Sequence, residues 1–486
     1  MDDRTPVVVG VGMVEQREED PTRSAEPLEL MLRAARAAGD DSRAPDLLRR
    51  VDLVAMPRGQ WHYDDAGRHI AREIGSPNAS SVVALVGVLQ QTLIGETCRR
   101  VADGEIDAAL VVGGEARYRK LRERILGAET EESAAPGEPD VVMQFDGRLV
   151  LESEFLGGLG GMPVGYYAII ESALRAAEGL TVGEHRDRVA RLYCRFSEIA
   201  ASNPHAWRRD VVDAAFIREA SEKNPMLAFP YTKLHNSSWN VDQATALLVC
   251  SARVATEAGV DRSRWAFPLV SAESNHALAL SERPRLAEVP GVRVAGQRAF
   301  DVAGISAGDL DLIELYSCFP VAVQTHAREL GIAPDADWTV TGGMPFAGGP
   351  FNSYVLQSTG TMIEQLRARP GGGVGLVSSV SGLLTKHGVA IWSTEPGPNP
   401  YAFLDVTDEV DALAQPVPVV VDASGEATVV GHTVIYDKDG RHGVALVDLP
   451  DGARTLVRTD DDASITSMEA DEWVGRRVKV DAGRLV

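Results

Sequence analysis

The chain has 486 residues, 48 of them basic (Lys, Arg) and 70 acidic, for a formal charge of -22 and a pI near 4.9; this excludes a disulfide-stapled mini-protein and speaks against nucleic acid or an anionic membrane as partner. Four scattered cysteines (Cys98, Cys194, Cys250, Cys318) with no C-x-x-C pair form neither a disulfide framework nor a Cys-rich zinc site, and no metal cluster shows in the spacing. No apolar run approaches the roughly 20 residues of a spanning helix, and Met1 to Thr5 carries acids, so a soluble cytoplasmic protein is expected.

From residue 6 to 116, short β-rich runs alternate with helical patterns, the grammar of a layered α/β arrangement. Strands are expected over Val7–Val11, Val51–Ala55, Ser80–Val86 and Ala108–Val112, with helices over Leu28–Ala38, Ala66–Ile74 and Gln90–Val101. Gly10-Val11-Gly12 lacks the G-x-G-x-x-G spacing and the later acid, so no dinucleotide site is expected. Residues 117–225 are polar and partly helical, with the glycine run Gly157-Gly158-Leu159-Gly160-Gly161, read as close loop packing. Strands resume at Ala244–Cys250, Pro268–Ala272, Leu310–Tyr316, Gly373–Ser378 and Val389–Trp392, separated by helices that include Val321–Leu330 and Tyr354–Arg367. The pattern gives an N-terminal half (1–116), a loop domain (117–225), a C-terminal half (226–394) and an additional domain (395–486).

The last segment reads as five strands, Pro416–Val421, Ala427–Tyr436, Gly443–Leu449, Arg454–Arg458 and Arg477–Val480, with a hairpin turn at Asp437-Lys438-Asp439-Gly440. That is the outline of a small barrel of OB type. Its 8 basic and 18 acidic residues leave it at -10, which argues for a protein contact or a lid role and against nucleic acid.

Four segments resemble those of the thiolase superfamily, in the same order. Gly87 to Gly114, ending Val111-Val112-Gly113-Gly114, is similar to the segment in which a nucleophile-bearing helix leads to a strand ending in Gly-Gly. Asn236-Ser237-Ser238-Trp239-Asn240-Val241-Asp242-Gln243-Ala244 resembles N-A-S-G-I-N-D-G-A. Glu314-Leu315-Tyr316-Ser317-Cys318-Phe319 resembles the N-E-A-F segment, or H-D-C-F in the sterol-carrier type. Gly342 to Pro350 resembles G-G-A-I-A-L-G-H-P. With the β-rich tail, the chain resembles the actinobacterial thiolase-like proteins of type 1 that carry an added C-terminal domain. The resemblance implies the thiolase fold, with two β-α-β-α-β-α-β-β halves in layers and a loop domain that holds coenzyme A. It implies acyl transfer of the acetyl-CoA acetyltransferase kind in lipid metabolism, with a CoA thioester as ligand or substrate and no other cofactor.

The catalytic positions depart from that pattern. The nucleophile position falls at Gly87 or Val88, the histidine of G-H-P at Gly349, the asparagine of N-E-A-F at Tyr316 and the cysteine of C-x-G at Ser378. Cys98 lies further along the same helix, roughly 15 Å away. Loss of a thiolate and its base removes the covalent route, so ordinary thiolysis and condensation are expected to be absent. Two alternatives stand beside a non-thiolytic acyl-CoA binder. In one, an acyltransferase or carbon-carbon lyase uses a rearranged Cys318–His387 pair; in the other, a non-catalytic scaffold docks a protein through the C-terminal domain. Ser238 matches a serine that touches pantetheine, although Trp239 beside it would fill part of that tunnel. His235 is a candidate for facing the cavity. Arg117 to Arg124 and Arg186 to Arg209 offer cations for the nucleotide phosphates or form solvated faces. Ser80–Val86 would carry a dimer contact unless the added domain covers it, leaving a dimer or a monomer.

Overall fold

The computed structural model describes residues 1–486 and contains eighteen strands. In the first third lie β1 (Pro6–Glu15), β2 (Leu53–Pro57), β3 (Ser80–Ala84), β4 (Ala108–Ala116) and β5 (Val141–Met143). Next come β6 (Met226–Ala228), β7 (Tyr231–Thr232), β8 (Asp242–Ser251), β9 (Phe267–Ser274), β10 (Leu312–Glu314), β11 (Val374–Ser381), β12 (Lys386–Ser393) and β13 (Ala402–Asp405). The tail holds β14 (Gly425–Asp437), β15 (Gly440–Asp448), β16 (Arg454–Thr459), β17 (Arg477–Asp481) and β18 (Arg484–Leu485).

Two sheets form the body, ordered β1-β8-β4-β2-β3-β5 and β10-β11-β12-β9-β13. Helices Gln90–Ala102 and Tyr354–Ala368 run between them, each touching both sheets, while Pro27–Asp41 covers the far face of the first and Pro290–Ala303 that of the second. Small residues set these spacings. A Cβ on Gly10 or Gly12 would stand 2.0 Å from a backbone oxygen of helix Pro27–Asp41, Ala38 and Ala34 respectively. The Gly10-Val11-Gly12 signal is therefore a strand-to-helix packing device. Gly95 does the same for the central helix against Ser271 and Phe403. This is the layered thiolase fold.

Two strands pair across the order of the sequence. Strand β8, which lies in the 226–394 half by sequence order, pairs antiparallel with both β1 and β4 and completes the first sheet. Between β4 and β8 the chain returns to that sheet once, with the short edge strand β5 beside β3. Strand β13, which sequence order gives to the added domain, pairs parallel with β9 and extends the second sheet.

The tail closes into a five-stranded barrel, β14-β15-β16-β18-β17 and back to β14. Asp437 pairs with Gly440 across the expected hairpin. Pro416–Val421 is not a strand and makes a single bridge, Val419 to Arg454, because Pro416 and Pro418 offer no donor to a ladder. Two helices, Thr407–Leu413 and Asp462–Ala470, were not expected from the alternation of strands and turns. The barrel has its own core around Val429, Val434, Val447, Ile465 and Trp473. It docks on its own chain: His432 N–H donates to Ser172 Oγ at 2.8 Å, Arg175 pairs with Glu472 at 2.8 Å, and Arg454 donates to the Arg283 carbonyl. The glycine run packs against this surface, with Gly157 and Gly158 facing Leu456 and Val444. No helix is long and apolar enough to cross a membrane.

Candidate functional site

The four segments singled out in the sequence meet at one end of the central helix Gln90–Ala102 and are stitched together by hydrogen bonds. Ser238 N–H donates to the Met344 carbonyl at 3.0 Å, and Gly349 N–H donates to the Ser238 carbonyl at 2.9 Å. Ser317 Oγ accepts from Met344 N–H at 2.9 Å, and Ser237 Oγ donates to the Cys318 carbonyl at 3.4 Å. Gln90, on the first turn of the central helix, donates to the Tyr316 hydroxyl at 3.4 Å and accepts from Val355 N–H at 2.7 Å. Beneath them Glu314, fully buried, collects donors from Thr339, Val340, Thr341 and Tyr354 and fixes the loop that leads to Gly342.

Gly87 sits just before that helix with φ +105°, a conformation that glycine adopts without strain. Its carbonyl accepts from Lys386 Nζ at 2.6 Å and from Ser381 Oγ at 3.2 Å. The Phe145 ring covers the pair, with its Cβ 3.4 Å from where a Gly87 side chain would start and its centroid 3.8 Å from Lys386 Nζ. Lys386 is buried and has no carboxylate within ion-pairing distance, and desolvation lowers its pKa to about 8. The larger of two carboxylate influences on it is that of Glu273, ahead of Asp405; Glu273 accepts from Thr92 Oγ at 2.6 Å and from Asn275 at 2.8 Å, with its own pKa raised by burial.

The alternation of β11 and β12 sorts the neighbours of this amine. Ser381 lies opposite Lys386 and Ser379 opposite Gly388; these face the central helix, where Gly388 abuts Gln91. Ser378 and His387 take the other face. Ser378 Oγ accepts from Tyr316 N–H and meets His326 Nδ1, both at 2.9 Å, and His326 Nε2 meets His387 Nδ1 at 3.1 Å. His387 packs on Gly291 of the outer helix and lines a surface cavity with His276 and Arg283. Desolvation lowers His326 to about 3 and His387 well below its ordinary value, so both are neutral.

The structure therefore brings Gly87, Gly349, Tyr316 and Ser238 into one neighbourhood; Ser378 touches it only through the Tyr316 N–H, and His387 is turned to the outer face. Cys318 and His387 share no hydrogen bond. The Cys318 thiol is beside the Tyr167 hydroxyl, and burial pushes its pKa up to about 12, so it stays protonated. Trp239 is 44% exposed, with the Arg117 guanidinium over its ring. His235 is buried against Tyr193 and Tyr231, bonded to Thr232, and lowered to about 3 by burial. Many of the arginines are taken within the chain: Arg119 by the carbonyls of Pro21 and Glu131, Arg195 by Asp337 and Arg208 by Asp210. Sequence reading missed Lys386, Ser381 and Phe145. Lys386 carried a signal, a lysine opening an apolar strand, that was passed over for the histidine beside it.

Known proteins match along the same lines. A family described as thiolase C-terminal domain-like matches residues 272–349, and one described as the thiolase-like protein type 1 additional C-terminal domain matches 405–483. The acetyl-CoA acetyltransferase of Methanothermobacter thermautotrophicus is 24% identical over 206 residues, which are 39% of this chain and 52% of that protein; the match spans about half of the relative. The solved structure of a monomeric SCP2-thiolase like protein type 1 from Mycobacterium smegmatis is 29% identical, with a TM-score of 0.83 over 100% of this chain and 99% of that one. An Ltp2-ChsH2(DUF35) aldolase has a TM-score of 0.61 at 16% identity, over 81% of this chain and 98% of its own, a likeness of fold.

Proposed function

Since the chain belongs to the thiolase superfamily, in the type 1 group with an additional C-terminal domain, we propose that it binds coenzyme A or an acyl-CoA thioester without forming an acyl-sulfur intermediate. One observation carries the reading. The resemblance puts the superfamily nucleophile position at Gly87 or Val88, before the central helix, where neither side chain can be acylated, and the Gly87 carbonyl is held by Lys386 and Ser381. A thiolate needs a partly exposed site with a neighbouring positive charge or base. Cys318 is held protonated and Cys98 is wholly buried with its pKa raised, and the resemblance puts the superfamily base position at Gly349. The thioester would enter past Ser238, whose backbone joins two of the site segments.

The quaternary state follows from the same region. The edge of β3 that was expected to serve a dimer pairs in parallel with β5 of its own chain, Val82 with Val141 through Ala84 with Met143. A monomer is the reading this supports. A protein partner remains the second reading, favoured by the DUF35 partner named for the similar aldolase structure. Calorimetry with coenzyme A and acetoacetyl-CoA tests the first. Heat of binding, with thiolysis at background and no acyl group on any cysteine after quenching, is the expected result. Absence of heat would leave only the partner role, and an acylated cysteine would overturn the proposal.

A further inference from the structure

We propose that Lys386 is the reactive group of this site, an amine that captures the ketone carbonyl of a bound 3-oxoacyl thioester as an imine. The inference rests on the acyl-thioester reading above and gives that ligand a chemical class. Three observations on the page converge. Lys386 Nζ is 2.6 Å from the carbonyl of Gly87, at the head of the central helix where the four site segments meet. It spends one donor there, has no ion-pair partner, and is buried, so the unprotonated amine costs less here than in water. The ring of Phe145 covers it, in a segment beyond β5 whose flanking residues Gln144 and Asp146 are exposed.

The chemistry selects the carbonyl. An amine attacking the thioester itself would expel the thiol and leave an amide, which would not turn over. Attack on a ketone is reversible: the nitrogen lone pair adds to the carbonyl carbon, the carbinolamine oxygen leaves as water, and a carbon-nitrogen double bond remains. The proton released from nitrogen and one taken from the medium leave with that water, and hydrolysis reverses each step. No oxidant or further reactant is needed. Thr92 and Asn275 hold the Glu273 carboxyl on the same inner face, near enough to act electrostatically on Lys386.

The test is reductive trapping. The full chain is incubated with acetoacetyl-CoA and, separately, with acetylacetone, which has the ketone and no coenzyme A; borohydride is added and the adduct mapped by peptide mass spectrometry. Lys386 should carry the reduced adduct with both probes, with a yield that rises as pH passes through about 8. Lys386→Arg keeps the charge and should lose the adduct to background; Lys386→Met is the second variant if the arginine does not fold. Binding of acetoacetyl-CoA with no adduct from either probe would overturn the imine and leave the proposed function standing. An adduct on Lys386 with acetylacetone and no heat from acetoacetyl-CoA would support the reactive amine and overturn the thioester ligand. Adducts spread over surface lysines and unchanged in Lys386→Arg would overturn the inference.

Discussion

The inner and outer faces of the second sheet use polar groups in opposite ways. On the outer face, Ser378, His326 and His387 form a closed chain of hydrogen bonds that ends on Tyr316 N–H. Those groups are consumed by structure, and the two imidazoles are kept neutral by burial. On the inner face, Lys386 and Ser381 converge on one carbonyl at the mouth of the central helix, and the amine keeps donors in reserve. The lesson is that a one-residue step along a strand separates a scaffold group from a candidate for chemistry.

The largest expected effect that separates the faces is on acid stability. Unfolded histidine binds its proton near pH 6.5, whereas burial holds His326 near 3 and His387 below its ordinary value. Below about pH 6.5 the unfolded chain takes up protons that the folded one refuses, so stability falls as pH drops from there toward 3, by up to about 1.4 kcal/mol per pH unit for each histidine. Buried His235 and His432, each lowered to about 3, add to the same slope. Urea titrations from pH 7 to 5 should show it, and His326→Phe should make it shallower. A pH-independent midpoint would mean that these imidazoles titrate in the fold as they do in the unfolded chain.

Next in size is His326→Ala. It removes a buried ring and leaves Ser378 and His387 without their shared partner, for a cost of about 2–4 kcal/mol. Binding of coenzyme A should be unchanged at a temperature where the variant is folded. A large loss of affinity in folded protein would put the outer face in the binding site. The smallest stability effect belongs to Phe145→Ala on the half-buried cover, expected within about 1 kcal/mol because the ring is not part of the core. Its effect on trapping should be clear, with faster adduct formation at Lys386, whereas a slower rate would make the ring a ligand contact and not a cover.

The layered fold was legible because its strands and helices each carry the period of their element: Val7–Val9, Leu28–Ala38 and Tyr354–Arg367 all fall within elements of the expected type. The placing of β8 was not legible, since a strand buried on both faces looks alike whichever sheet it joins. The same property hid the site. In Lys386–Ser393 every residue is buried, so alternation gives no polar and apolar sides from which to tell that Lys386 looks inward and His387 outward. The four segments could be ordered from their residues, and Ser238, Tyr316 and Gly349 do converge. The contact between Phe145 and Gly87 joins residues far apart in sequence, and nothing local in either announces it.

The central claim is that acyl groups are bound here without passing to sulfur. Intact-mass and peptide mass spectrometry after incubation with acetyl-CoA and acetoacetyl-CoA and an acid quench, without borohydride, reads it directly. The account predicts unmodified Cys98, Cys194, Cys250 and Cys318 in protein that binds the thioester by calorimetry. An acyl group mapped to any of the four would contradict it.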